Sequence, residues 1–527
     1  MELAICRLMT FYTHQQFKVV YQAPTKSLCA ERYREWQAKF GTLDLQCAEL
    51  TGDTDYNQLR SIQNAAIIIT TPEKWDSVTR KWKDHAKLMQ LVKLFLIDEV
   101  HVLKDSRGAT LEAVVSRMKS VGSSVRFVAL SATVPNSEDI ATWLGKSTAA
   151  QHLPAHREVF GEEYRPVKLQ KFVYGYDIRQ NDFVFDSTLT SKYVSSAVSE
   201  LHWLTRIRLP EIIAKHSNRK PIMIFCFTRK SAIKTSKTLA ELWTATNAAD
   251  RLWPAPKRHI QVMEPELRRE SNPAFAGIVP SNKFFSETTS ASVAFHHAGL
   301  DLADRRAVEE GFLDGNINII CSTSTLAVGV NLPCYLVIVK GTVGWAENGL
   351  QEYADLEMMQ MLGRAGRPQF ESSACAVILT RDKKVQRYRS MVSGNELLES
   401  SLHLNLVDHL NAEIGLGTVF DIPSAKRWLG STFLFVRLRR NPDHYKLKEN
   451  GNARCRDESE LLEQICDKDL RLLESIDLIS SEGKLKCTEF GDAMARYCVK
   501  VETMKIILSL PPKAKISEIV SGVPNTI

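Results

Sequence analysis

Eleven cysteines are spread along the 527-residue chain, and no C-x-x-C pair occurs anywhere. That absence argues against a four-cysteine zinc site or a disulfide framework, and favours reduced thiols of the cytosol or nucleus. Long apolar runs are also lacking, and stretches such as Leu94–Ile97 are far too short to cross a bilayer. The opening Met1-Glu2-Leu3-Ala4-Ile5-Cys6-Arg7 has neither the basic region nor the long apolar core of a secretory signal. No short-period internal repeat is present. Charge of one sign is scarce: 68 Lys+Arg against 61 Asp+Glu leave a net +7. This suits a polyanionic partner but is far from a histone-like tail. With 44% hydrophobic and 24% charged residues, the balance is that of folded domains. The length corresponds to about three to four of them.

What is present is a βαβ alternation. Lys18–Gln22, Ala66–Thr70, Lys93–Ile97 and Arg126–Leu130 read as buried strands, with amphipathic helices over Ser27–Lys39 and Gly108–Ser120. Residues 1–9 have the apolar spacing of a helix (Ala4, Ile5, Leu8, Met9) with no strand before it. The alternation pauses over 150–200, a stretch that reads as a connector with a bend at Gly175/Tyr176. It resumes at Pro221–Phe227, Ser292–Phe295, Asn318–Cys321 and Tyr335–Val339, strands of a second α/β domain with a surface insertion over 245–291. Beyond about 390, helical stretches (Leu397–Leu410, Asp457–Ile476) and a basic β-like run (Phe433–Arg440) predict a small helix-rich domain. The expected division is 1–155, 156–390, 391–502 and 503–527.

Asp98-Glu99-Val100-His101 directly follows an apolar strand, at the edge where parallel sheets bind ligands. There a first carboxylate can hold Mg²⁺ through its waters, and a second can orient and deprotonate an attacking water. The alternative is a solvated acidic turn. One βα unit later, Ser131-Ala132-Thr133 places hydroxyls at a neighbouring edge, or simply caps a helix. Gln360-Met361-Leu362-Gly363-Arg364-Ala365-Gly366-Arg367-Pro368 pairs two arginines, read as facing one side of a helical turn, with glycines that permit close approach. Arginine forks suit phosphate.

In order along the chain stand Ala23-Pro24-Thr25-Lys26-Ser27, Thr70-Thr71-Pro72, the acidic tetrad, Ser131-Ala132-Thr133, Phe227-Thr228-Arg229, His296-His297-Ala298-Gly299-Leu300, Thr323–Pro333 and Gln360–Pro368. This series resembles the motif set of superfamily-two helicases. The acidic tetrad, the His-His-Ala-Gly-Leu string and the arginine block look like the Ski-like branch, most similar to Mer-type (HFM) meiotic crossover DNA helicases. The resemblance implies two RecA-like α/β domains, a winged helix and the first helix of a ratchet-type bundle over Glu502–Ile527. It implies that Asp98 holds Mg²⁺, that Glu99 is the general base, and that His101, Ser131 and Thr133 couple nucleotide state to domain closure. Arg364 and Arg367 become γ-phosphate fingers, with Gly329, Asn331, Gln360 and Gly363 at the nucleotide. Thr25, Lys26, Gly52, Asp53, Thr71, Thr228, Arg229 and Thr325 would track a nucleic-acid backbone. Implied with these are ATP as substrate, DNA as partner, a 3′-to-5′ polarity, meiotic recombination as the setting and the nucleus as the compartment. An RNA-directed relative and a catalytically silent DNA-binding scaffold are the rival readings.

The phosphate-cradling string G-x-x-x-x-G-K-[ST] does not occur in residues 1–527. Gly145-Lys146-Ser147 lacks the first glycine and lies after the Ser-Ala-Thr string. An incomplete gene structure ahead of Met1 is the expectation, with a short isoform and a degenerate homologue as alternatives, and feeble ATP hydrolysis is expected. His296/His297 read as structural or coupling residues, not metal ligands. Cys455, Cys466, Cys487 and Cys498 read as core or surface thiols. Trp75, Trp82, Trp143 and Trp345 read as core, and Gly415-Leu416-Gly417 is no dinucleotide fingerprint. The basic runs Arg381–Arg389 and Arg437–Arg456 read equally as DNA contacts or as solvated faces.

Overall fold

A computed structural model describes the chain except for residues 13–15, 53–61, 63, 82–85, 106, 122–124, 133, 148–151, 191–207, 258–287, 328–331, 347–348, 368–369, 446–457, 482 and 512–527. It forms two compact units, one of Met1–Glu158 with Leu397–Ile527, the other of Val159–Glu396.

In the first unit, strands β1 (Lys18–Gln22), β2 (Cys47–Leu50), β3 (Ile67–Thr70), β4 (Val92–Ile97) and β5 (Arg126–Ala129) make a parallel sheet in the order β2-β3-β1-β4-β5. Every residue of β1 and β3 is buried, as expected of strands covered on both faces. One face packs on helices Glu2–Met9 and Lys26–Gly41 through Ile5, Cys29, Trp36 and Phe40.

The C-terminal part of this unit is helical: Leu406–Leu416, Ile422–Gly430, Phe433–Arg440, Glu458–Ser475, Glu489–Tyr497 and Val501–Ser509, with a short antiparallel hairpin (Ile479–Ser480 with Lys486–Cys487) as the wing. Two expectations are corrected here. The run Phe433–Arg440 is a helix, because Thr432 caps it by accepting from the Phe435 amide and Phe433, Leu434, Arg437 and Leu438 fall on one buried face. Arg437 is therefore no surface DNA contact: it is buried against Asp139 and Glu399. The helix expected over Leu397–Leu410 begins only at Leu406, after a 3-10 turn at Leu402–Leu404. Helix Val501–Ser509 buries Val501 and Met504 in the same core as the wing, and the rest of Glu502–Ile527 lies outside the described residues beyond 511.

The second unit holds a six-stranded parallel sheet in the order Val293–His296, Ile319–Ser322, Ile222–Cys226, Leu336–Lys340, Ser373–Arg381, Lys168–Tyr176. Lys168–Tyr176, expected as a connector, is its edge strand, paired along nine residues with Ser373–Arg381. An edge position tolerates its lysines and half-exposed residues. Ser373–Arg381 is an unanticipated strand, its apolar middle fully buried. Most of the expected 245–291 insertion lies outside the described residues, but Trp253 is buried and donates to the Ala291 carbonyl at 2.8 Å. Trp345 is not core: it is 70% exposed on the hairpin Val343–Ala346/Gly349–Glu352. Trp75 and Trp143 are core, and Trp82 lies outside the described residues. The ten described cysteines are all free thiols, Cys455 lying outside the described residues.

Candidate nucleotide and nucleic-acid site

The acidic pair emerges where β4 ends. The Asp98 amide donates to the Gln22 carbonyl of β1 at 2.8 Å, extending the sheet by one bond and turning the carboxylate onto its edge. The Tyr21 hydroxyl donates to Asp98 Oδ2 at 2.6 Å, and the Glu99 amide donates to Oδ1 at 3.1 Å. Burial and then the Asp98 charge push the Tyr21 phenol well above its usual range. Glu99 sits in the left-handed region at φ 54°, ψ 48°. Burial, and after it the charge of Asp98, raises the Glu99 carboxyl from 4.5 to about 7. His101 is buried, with Nδ1 3.3 Å from Glu99 Oε2 and 3.4 Å from the Ala132 amide, which donates to it. The Ser-Ala-Thr string is thereby tied to the acidic tetrad. Ser131 is exposed beside it, and Thr133 lies outside the described residues.

Asp98 fits a water-held Mg²⁺. Each of its oxygens accepts one protein hydrogen bond and keeps a further lone pair. Among the described residues no group of three His, Cys, Asp or Glu side chains forms a dedicated metal cage. Magnesium commonly binds through one or two carboxylates plus substrate phosphates, keeping its waters.

In the second unit helix Asp355–Leu362 stops at Gly363, so Arg364 and Arg367 do not share a helical turn as expected. The backbone instead turns back through Gly366, whose φ of +118° favours glycine. Its amide donates to the Cys334 carbonyl at 2.7 Å. Arg364 donates through Nε to the Ala327 carbonyl at 2.9 Å, joining the arginine block to the Thr323–Pro333 string. Burial raises the Glu357 carboxyl above its usual range, opposed by the Ser324 hydroxyl. Arg367 pairs with buried Glu371 through Nη2, and its guanidinium lies 5.2 Å from the Phe370 ring. Gln360 Nε2 is buried and has no partner among the described residues. Gly329 and Asn331 lie outside the described residues. His296 Nε2 is 2.9 Å from Glu309 Oε1, a structural pairing.

The residues expected along a nucleic-acid backbone fall into local groups. Thr25 caps helix Lys26–Gly41 by accepting from the Leu28 amide at 3.3 Å. Lys26 lies over Gly52, where a Cβ would stand 3.3 Å from its Nζ. Thr228 caps helix Arg229–Ala245, accepting from the Ser231 amide at 3.1 Å. The Arg229 guanidinium rests on Gly299. Thr325 is exposed, its hydroxyl 3.0 Å from that of Thr323. Thr71 is buried at the start of helix Pro72–Thr79, and Asp53 lies outside the described residues. Arg381 and Arg387, from the first basic run, are ion-paired with Asp182 and Glu352. Sequence reasoning missed Tyr21 and Glu371. The second stands four residues after Arg367, a spacing that carries pairing information.

Residues 1–140 match the DEAD/DEAH box helicase family, 274–369 the helicase conserved C-terminal domain, and 399–478 a winged helix-turn-helix domain. The chain is 44% identical over 508 residues to "ATP-dependent DNA helicase MER3" of Saccharomyces cerevisiae, covering 96% of the chain and 39% of that protein. It is 41% identical over 540 residues to "Probable ATP-dependent DNA helicase HFM1" of Homo sapiens, covering 99% of the chain and 35% of that protein. Similarity to "DExH-box ATP-dependent RNA helicase DExH13" of Arabidopsis thaliana is lower, 32% over 502 residues, covering 94% of the chain and 22% of that protein. The chain thus spans well under half the length of these curated relatives.

Proposed function

Because this chain belongs to the helicase family of MER3 and HFM1, we propose that it serves ATP-dependent, 3′-to-5′ unwinding of DNA in meiotic recombination, within the nucleus. The observation that carries the reading is the acidic pair, with Asp98 oriented by Tyr21 and Glu99 half-buried with its carboxyl near neutrality. Asp98 would hold Mg²⁺ through water, and the ion would neutralise charge on the phosphates when bound. Glu99 takes the proton of the attacking water, whose oxygen bonds the γ-phosphorus as ADP leaves. His101, against Glu99 and the Ala132 amide, relays the protonation of Glu99 to the Ser131–Thr133 string. Arg364 and Arg367, with Gln360 and Gly363 beside them in the chain, are the phosphate-binding candidates of the second unit. Thr25, Lys26, Gly52, Asp53, Thr71, Thr228, Arg229 and Thr325 form the grip on the DNA backbone, which positions without reading sequence. A DNA substrate is favoured over RNA by the higher identity to the DNA helicases.

Since no phosphate-cradling string occurs in residues 1–527, we expect these residues alone to bind single-stranded DNA while hydrolysing ATP feebly. The test is a titration with labelled DNA and RNA oligonucleotides, paired with ATPase assays of the parent and of Glu99→Gln. Preferential DNA binding, with the residual hydrolysis abolished in Glu99→Gln, supports the reading. RNA preference, or hydrolysis untouched by Glu99→Gln, refutes it, and vigorous DNA-stimulated turnover refutes the feeble-hydrolysis expectation.

A further inference from the structure

The turn that follows the acidic pair is gripped from two places in the chain. Val100–Lys104 form a 3-10 turn directly after Glu99. Gly108 opens the next helix, Gly108–Val121, so close to this turn that an added Cβ would stand 2.1 Å from the Leu103 carbonyl oxygen. The second grip comes from the C-terminal part of the unit. Ser401 shares its one hydroxyl proton between the carbonyls of Leu103 at 3.1 Å and Asp105 at 2.7 Å.

Helix Gly108–Val121 is held the same way. Both oxygens of buried Glu112 are taken from the C-terminal part: Oε2 accepts from the Ser400 hydroxyl at 2.7 Å and Oε1 from the Leu434 amide at 2.6 Å. Glu112 therefore caps helix Phe433–Arg440 from outside it. Further along, Arg117 donates through Nε to Glu413 Oε1 at 2.8 Å. Its Nη1 donates to Asp76 Oδ1 at 2.8 Å and Thr79 Oγ1 at 2.7 Å. Ala109 of this helix joins the apolar core made by Leu402, Leu406 and Leu410. Buried charges add little net stability, because desolvation offsets their attraction, but their directional bonds select one register. The two assigned oxygens of Glu112 tie this helix to Ser400 and Leu434.

We infer that Ser401 and Glu112 are positioning residues for the acidic pair. They clamp the turn Val100–Asp105, and with it the left-handed Glu99 and the His101 ring, from the winged-helix side of the unit. The winged helix is then a supporting wall of the acidic site as well as a candidate DNA-binding module. The consequence for hydrolysis rests on Glu99 being the base, whereas the clamp itself is read without any hydrolysis.

Hydrogen-exchange mass spectrometry on the full chain tests it, comparing the parent with Ser401→Ala, Ser401→Thr and Glu112→Gln. In Ser401→Ala the amides of residues 98–110 should exchange about tenfold faster, the loss of roughly one buried hydrogen bond. Peptides of β3 and of Val293–His296 should be unchanged, and Ser401→Thr, which keeps the hydroxyl, should restore the parent rate. Glu112→Gln puts an amide NH2 in place of one carboxylate oxygen, so either the Leu434 amide loses its acceptor or the Ser400 hydroxyl must turn to accept, and exchange at 433–436 and at 98–110 should speed together. Parent-like exchange at 98–110 in Ser401→Ala overturns the clamp. So does acceleration spread evenly over the chain and not rescued by threonine. Glu112→Gln that loosens 433–436 alone removes Glu112 from the proposal. If Glu99→Gln leaves ATPase unchanged while the exchange pattern holds, the base assignment fails and the clamp stands.

Discussion

Replacing Arg117 with methionine puts a number on the joint between the first α/β domain and the winged helix. Arg117 is fully buried, its guanidinium bonded to Asp76, Thr79 and Glu413, and Glu413 is itself fully buried. Methionine fills similar volume but leaves both carboxylates short of a counter-charge. Breaking a buried ion pair by removing one partner costs about 3–5 kcal/mol. The lower end is expected, since Asp76 keeps Arg80 at 2.8 Å and Glu413 keeps the Thr418 hydroxyl. At about 2–4 °C per kcal/mol, the first unit's melting temperature should fall by roughly 6–12 °C.

Acid adds a second arm. Burial alone would raise the Asp76 carboxyl, but the Arg80 and Arg117 guanidiniums overcome it and hold the group down, from 3.8 to about 2. A depressed carboxylate contributes stability that is present above pH 3.8 and lost as pH falls through about 2. With Arg117 gone that loss begins at higher pH. Calorimetry across a pH series measures both. A scan of Arg117→Met within about 2 °C of the parent, with the same acid limb, would refute the reasoning.

With Glu99 in its proposed role as base, hydrolysis should rise with pH through about 7, because its carboxyl, raised from 4.5 to about 7, is competent only once deprotonated. A residual ATPase profile flat from pH 6 to 8 is the contrary result. Tyr21→Phe frees Asp98 Oδ2 and should lower ATPase about tenfold without moving DNA affinity, since one charge-assisted bond is worth on the order of 1.5 kcal/mol. A matching drop in DNA affinity would point to misfolding instead. Gly108→Ala drives a methyl into the Leu103 backbone and should destabilise the first unit by about 2 kcal/mol or more, seen as an earlier melting transition.

Much of the fold is visible in periodicity. Uninterrupted apolar runs ending in polar residues mark β1, β3 and β4, because both faces of a parallel sheet are covered. Phe433–Arg440 misled because its aromatic and β-branched residues favour strands, whereas its cap and burial pattern are helical. Lys168–Tyr176 hid because an edge strand need not be apolar. At the site, the acidic pair is legible from the strand end it follows; the Ser131–Thr133 string alone looks like a helix cap, and its tie to the pair shows only in the Ala132 amide donating to His101. The geometry of Arg364 and Arg367 was not legible, since the stop at Gly363 and the turn at Gly366 depend on contacts with Ala327 and Cys334 that lie far off in sequence. Glu112 and Arg117 look like the polar side of an amphipathic helix, and only their distant partners show that this side is interior.

A side chain with a Cβ held at φ 54° gives up on the order of 1 kcal/mol relative to relaxed backbone. Glycine at position 99 would relieve this tension and, in doing so, remove the carboxylate. Durability alone would favour glycine at this corner of the protein, so the glutamate that stands there answers a requirement that durability does not explain.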